Sequence, residues 1–282
     1  MRSIAWMSEK GGTGKSTSAV NVAVGMAKRG LRVLLVDADP QSNTSWVMTQ
    51  GWGAEAPTLT EVLLEGTDPA DAVRPTGAPG LDLLPATGRL ADVNFALAGE
   101  MGRERRLRRA LAELGGYDVV MIDTGPSRSL INVNVLNAVG EVFCPVDGGV
   151  FSITGLVSIQ GVIAEVRQFL DNGDLRLGGL LLTHAKRDNL CKDVEGQVRA
   201  AFGSLVFRTS IPSNTKVGEA HARCLSVLDY APKSPGAVAY AALVREVMGD
   251  GEEQRAGRAV DGAVDAERAA GAAGRDRCRA AG

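Results

Sequence analysis

The sequence predicts an α/β fold built on a mostly parallel, twisted sheet with helices on both faces. Three observations predict it. Short apolar runs and longer helical patterns alternate along the chain, which is the arrangement of repeated strand–helix units. The runs Val33-Leu34-Leu35-Val36 and Val119-Val120-Met121-Ile122 are apolar throughout, as strands buried on both faces of a parallel sheet are. A glycine-rich stretch, Ser8-Glu9-Lys10-Gly11-Gly12-Thr13-Gly14-Lys15-Ser16-Thr17, separates the first apolar run from the first helical pattern. Strand, glycine loop and helix start then follow in the order a phosphate site needs.

The elements follow in order. Ile4-Ala5-Trp6-Met7 is the first strand. Residues 16–29 put Val20, Ala23, Val24 and Ala27 on one helical face, and Lys28, Arg29 and Gly30 supply the basic last turn and the stop. The strand at 33–36 ends in Asp37-Ala38-Asp39-Pro40-Gln41. Residues 41–66 read as short helices around Trp46 and Leu59–Leu64, and residues 67–80 as a loop rich in Pro, Gly and Asp. Leu81–Leu84 is a short strand, and a helix is expected over 103–114. The strand at 119–122 ends in Asp123-Thr124-Gly125-Pro126-Ser127, and Glu141–Val146 is the next strand. Leu156, Ile159, Ile163, Val166 and Leu170 form a helical stripe. A strand is expected over 177–183, a helix over 190–202, a short strand up to Arg208, a loop over 211–216 and a last helix over 236–248. From residue 249 to 282 the chain is mostly Ala, Gly, Arg, Glu and Asp, with Val260 and Val264 as its only sizeable aliphatics. That composition buries little apolar surface, so the tail is expected to be disordered or weakly helical and the folded domain to span 1–248.

Composition narrows the function. The net charge of −2 over 282 residues gives no global attraction to nucleic acid, so any such binding must come from a local patch. No apolar stretch has the length of a membrane span. The N-terminus runs straight into a strand, so no secretory signal is expected. The four cysteines, Cys144, Cys191, Cys224 and Cys278, are scattered without a C-x-x-C pair, which suggests neither a zinc site nor a disulfide framework. A reducing, cytoplasmic location is expected.

The chemistry concentrates in three places. Gly11, Gly12 and Gly14 let the backbone wrap an anion, Lys15 can reach terminal phosphates, and the hydroxyls of Ser16 and Thr17 open the helix, with Ser16 able to hold Mg²⁺. The usual pattern G-x-x-x-x-G-K-[ST] wants glycine where this chain has Glu9, and an extra lysine, Lys10, comes early in the loop. Asp123 ends an apolar strand, where a carboxylate holds Mg²⁺ through water or caps the next helix. Asp37 and Asp39 are expected on opposite sides of their strand end, one supporting the loop and one facing the γ-phosphate; residue chemistry leaves open which does which. The arginines at 103–109 read as a solvated helix face. Lys186, Arg187, Lys192, Lys216 and Arg223 form a basic patch only if the fold assembles them, and such a patch would bind DNA phosphates without sequence preference.

The loop Lys10-Gly11-Gly12-Thr13-Gly14-Lys15-Ser16-Thr17 resembles the deviant Walker A loop of the ParA/MinD superfamily. Leu34–Gln41, Ile122–Ser127, Leu81–Ala86 and Asp229–Ala237 extend the resemblance to the ParA/Soj partition ATPases over about residues 1–248. The resemblance implies a P-loop NTPase-like fold, ATP and Mg²⁺ as ligands, and an ATP-bound homodimer. It implies that Lys10 reaches the partner's nucleotide, that Asp39 serves hydrolysis and that Asp37 is its structural or Mg²⁺-side neighbour. It places Pro212 and Asn214 against adenine, and Arg187 and Lys216 on DNA. It further implies a ParB-like partner that stimulates hydrolysis, and association with the nucleoid. The chain departs from the family at Ser8-Glu9, where Asn-Gln is frequent, at Gly125, where proline is usual, and at Ser213, where an arginine is usual. No helix-turn-helix precedes Ile4, so operator binding is not expected.

Three rival classes follow. A MinD-like membrane-patterning ATPase needs a C-terminal amphipathic anchor, and the tail lacks Leu, Ile, Phe and Trp. A cluster-bearing reductase needs cysteine ligands, and none occurs before Cys144. A ParA-like positioner of a protein cargo would carry the same ATPase.

Overall fold

The computed structural model describes residues 1–127, 129–147, 152–184 and 189–249. It opens with β1 (Arg2–Trp6) and α1 (Lys15–Ala27), followed by β2 (Val33–Ala38), α2 (Asn43–Met48), α3 (Leu59–Leu64), α4 (Pro69–Ala72), β3 (Arg74–Pro75) and β4 (Leu81–Leu84). Next come α5 (Val93–Ala96), α6 (Arg106–Glu113), β5 (Val119–Thr124), α7 (Leu130–Ala138), β6 (Glu141–Asp147), α8 (Ser152–Phe169) and β7 (Arg176–Thr183). The described chain ends with α9 (Asn189–Phe202), α10 (Thr215–Ala222), α11 (Val227–Tyr230) and α12 (Pro235–Met248). None of these helices is long and apolar enough to cross a membrane.

The strands form one sheet in the order β3-β4-β2-β5-β1-β6-β7. All pairings are parallel except the antiparallel edge of β3 on β4. Because side chains alternate along a strand, Ile4 and Trp6 enter one core and Ala5 and Met7 the other. α1, α10, α11 and α12 cover the face of Ile4 and Trp6, and α3, α6, α7, α8 and α9 that of Ala5 and Met7. The α/β class with helices on both faces is therefore as expected. The order also puts the carboxyl ends of β1, β2 and β5 side by side, with Trp6 and Asp37 each in register with Asp123. Ligands of open α/β sheets bind at this edge.

Local departures from expectation have physical reasons. The stretch expected as a loop at 67–80 holds α4, capped by Asp68 Oδ1 on the Ala70 N–H (2.8 Å), and the edge strand β3. The short strand expected before Arg208 is reduced to a single bridge, Leu180 to Val206. α10 begins inside the expected 211–216 loop, because Asn214 Oδ1 accepts the Lys216 N–H (3.1 Å) and starts a helix there. α7 has no counterpart in the sequence reading. Its three asparagines are poor helix formers, yet each bonds outside the helix: Asn132 to Gly125 O, Asn134 to Arg103 O, and Asn137 to Glu104 O. The arginines of 103–109 also do more than face solvent. Arg105 pairs with Asp171 (2.6 Å), Arg106 donates to Leu63 O (2.7 Å) and Arg108 to Asp171 O (3.1 Å), tying α6 to its neighbours. The tail beyond Gly249 lies outside the described residues.

Candidate functional site

The glycine loop leaves β1 after Trp6 and is fastened at both ends. The Met7 N–H donates to Phe143 O (2.9 Å), and Thr183 Oγ1 donates to Thr13 O (2.9 Å). Gly12 and Gly14 take φ of 75° and 90°, left-handed values that glycine adopts without steric cost. Gly14 is the N-cap of α1 and provides no side-chain cap, so the first N–H groups of that helix, including those of Ser16 and Thr17, are left for an anion. Gly11 and Gly12 have open space around them on the loop's outer side.

Lys15 lies across this loop, with Nζ 3.4 Å from Lys10 O and the residue only 6 % exposed. Burial lowers its pKa, and the nearby carboxylates of Asp123 and Asp39 oppose that shift. Lys10 behaves differently. It is largely exposed and its ammonium is ion-paired with Asp147 at the end of β6. Glu9, the residue standing where a standard loop has glycine, accepts a bond from Ser158 Oγ on α8 (2.6 Å).

Behind the loop lie three carboxylates. Asp37 is fully buried and accepts three hydrogen bonds, from the Ser45 N–H (2.7 Å), Ser45 Oγ (2.7 Å) and the Asp39 N–H (3.1 Å). Asp123 is equally buried and accepts Thr44 Oγ1 on Oδ2 (2.8 Å); the nearby Ser16 side chain favours its ionised form, and its Oδ1 has no hydrogen-bond partner. Burial, with Asp37 and then Asp39 adding repulsion, pushes the Asp123 carboxyl up to about 7; burial chiefly raises Asp37 to about 6. Asp39 accepts the Gln41 N–H on Oδ1 (2.9 Å). The expectation that Asp37 and Asp39 face opposite sides is corrected. Residues two apart on a strand share a face, and both charges act on Asp123.

This donor set suits Mg²⁺. A buried carboxylate oxygen without a partner costs about 1–3 kcal/mol or more, and Asp123 Oδ1 is such an atom, on a carboxyl that the Ser16 side chain also acts on. Among the described residues no three His, Cys, Asp or Glu side chains form a metal cage. Mg²⁺ needs none, since it is held by one or two protein oxygens together with phosphates and water.

A cavity of about 390 Å³ adjoins the loop, lined by Gly14, Thr17, Pro212, Asn214, His221 and Tyr240 among others. Pro212 and Asn214, expected at the base, both face it. His221 and Tyr240 were not anticipated. They come from α10 and α12, and no motif marks either. Burial lowers the His221 pKa, which favours the neutral ring, and Tyr240 OH lies 3.2 Å from Ser18 Oγ of α1. Lys216 sits on the outside of α10, paired with Glu219 (2.7 Å) and, like Arg223, over the Tyr230 ring. Two members of the expected basic patch are thus brought together. Lys186 and Arg187 lie outside the described residues, as does the side chain of Lys192.

A sheet edge bearing a glycine loop, a buried lysine and a partly unsatisfied carboxylate, next to a pocket of nucleobase size, defines a nucleotide-binding P-loop protein. The family profile described as "AAA domain" matches residues 1–177. The chromosome partitioning protein ParA of Caulobacter vibrioides is 38 % identical over 260 residues, covering 91 % of this chain and 97 % of that protein. The chromosome-partitioning ATPase Soj of Thermus thermophilus is 41 % identical over 249 residues, covering 88 % and 96 %. Among solved structures, cobyrinic acid a,c-diamide synthase from Mycobacterium smegmatis, with bound ADP and magnesium, superposes with a TM-score of 0.76 at 31 % identity, covering 90 % and 97 %. The chain belongs to the ParA/Soj family of chromosome-partitioning ATPases.

Proposed function

We propose that residues 1–248 form a Mg²⁺-dependent ATPase that dimerises with ATP, binds DNA without sequence preference and hydrolyses ATP when a ParB-like partner carrying the cargo engages it. The observation that carries this reading is the partnerless Oδ1 of Asp123 beside Ser16, behind a loop whose glycines and helix N-terminus await an anion. Loop N–H groups and Lys15 would receive the β- and γ-phosphate oxygens. Ser16 and Asp123 would hold Mg²⁺, which neutralises charge on the transferring phosphoryl group when bound. Pro212 and Asn214 would flank the base.

The remaining roles follow from hydrogen bonding. Asp37 accepts three hydrogen bonds and ties α2 to the sheet end. Asp39, which accepts the Gln41 N–H, orients the attacking water. Lys10 exchanges its Asp147 partner for the nucleotide of the second subunit, which makes dimerisation ATP-dependent. Lys216, with Arg187, contributes to a DNA-binding surface, and binding there would place the protein on the nucleoid in the cytoplasm.

Sizing of Lys10→Ala with a non-hydrolysable ATP analogue tests the central step. The variant is expected to bind nucleotide and remain monomeric. Dimers in wild-type yield would remove Lys10 from the interface.

A further inference from the structure

Asn132, in the first turn of α7, touches none of the groups assigned above, yet it holds one of the walls around them. It is 7 % exposed, and its Nδ2 donates to the carbonyls of both Gly125 (3.0 Å) and Ser127. A carboxamide NH₂ has two protons, and both are spent on this turn. The turn follows Asp123 directly and runs past Asp39. A Cβ added at Gly125 would lie 3.2 Å from Asp39 Oδ1, 3.4 Å from its Cγ and 3.7 Å from Oδ2. The glycine backbone is therefore packed on the edge of the Asp39 carboxylate, which also accepts the Gln41 N–H.

We propose that Asn132 is a positioning residue for Asp39, acting through the Gly125 turn, and that in this chain a Cβ at 125 would crowd the same carboxylate. The inference rests on the reading of Asp39 as the group that orients the attacking water. Without the two bonds from Asn132, the turn loses the restraint that keeps its backbone against the carboxylate. With a methyl group at 125, the carboxylate must move by a few tenths of an ångström. Phosphoryl transfer to water depends on the line of attack, and misplacing a reacting group by about 1 Å costs up to roughly 10²-fold.

The test compares Asn132→Ala, Gly125→Ala and Asp39→Ala in the full chain, by single-turnover ATP hydrolysis, ATP-analogue affinity and thermal melting. Asn132→Ala and Gly125→Ala are each expected to slow hydrolysis about ten-fold with affinity held within about two-fold. Gly125→Ala removes no hydrogen bond, so it keeps the inference testable should Asn132→Ala fold poorly. Loss of hydrolysis in Asp39→Ala with wild-type rates in both other variants overturns the inference alone. A fall in nucleotide affinity that accounts for the slower rate also overturns it, because Asn132 would then act on binding. Wild-type hydrolysis by Asp39→Ala overturns the reading of Asp39 itself, and the inference with it.

Discussion

The two ends of the nucleotide cleft are built in different ways. The phosphate end is made where β1, β2 and β5 stop, so its groups inherit the rigidity of the sheet. Asp37 and Asp123 face each other in strand register, and Lys15 and Ser16 open a helix whose preceding loop is bonded to β6 and β7. The base end is made by an irregular segment, 211–214, and by the eight-residue α10, with α12 beside them and tied to α1 by Tyr240 OH to Ser18 Oγ. Charge is buried at the first end, whereas at the second it lies outside, on Lys216 and Arg223. Strong electrostatics thus sits where the backbone is hydrogen-bonded into the sheet, and orientation of the base is left to local contacts.

The contrast is challenged most directly at Lys15. Removing a buried cation aimed at developing phosphate charge costs about 10²–10³-fold in turnover. Lys15→Ala is expected to lose at least that much ATPase activity while its melting temperature holds or rises, since a desolvated charge is removed. A turnover within ten-fold of the parent would mean that the loop backbone alone does the electrostatic work.

A smaller effect should appear in the pH dependence of the nucleotide-free protein. Folded Asp37 and Asp123 titrate near 6 and 7, against 3.8 for the unfolded chain. The folded state therefore binds more protons between those values, and stability falls as pH rises. The extra stability is complete below about pH 4 and gone once pH passes about 7. Melting of the apo protein is expected to drop across that window, and Asp123→Asn should flatten the slope. A melting temperature that climbs with pH in this range would remove the repulsive pair from the account.

How much of this the sequence disclosed follows the same division. Sheet-end elements are legible because their signals are local: a glycine loop between strand and helix, and apolar runs ending in Asp37 and Asp123. What those aspartates do is not local. Their roles separate only when Ser45 of α2 is seen to give Asp37 two hydrogen bonds while Thr44 gives Asp123 one and leaves its Oδ1 without a partner. α7 escaped notice because asparagines mask a helix when their partners, such as Arg103 O and Glu104 O, are distant in sequence. At the base end, Pro212 and Asn214 came from family resemblance rather than chemistry, and His221 and Tyr240 reach the pocket only through the packing of α10 and α12.

The smallest expected effect sharpens the comparison most, because it separates two tasks of one residue. Asn214 Oδ1 caps α10, and its carboxamide also lines the pocket. Asn214→Ala removes both, and loss of an N-cap costs about 1 kcal/mol of stability. Asn214→Asp keeps an oxygen for the cap, and aspartate caps as well as asparagine, but it replaces the NH₂ donor with a charge. If the base end reads the nucleobase through that donor, Asn214→Asp should melt like the parent and bind ATP a few-fold more weakly, with affinity for inorganic triphosphate unchanged. Equal losses for ATP and triphosphate would mean that the two ends are one electrostatic unit, since a charge at 214 would then be felt at the phosphates. Loss of stability with affinity intact would leave Asn214 as a helix cap alone and shift base recognition toward Pro212, His221 and the rest of the pocket wall.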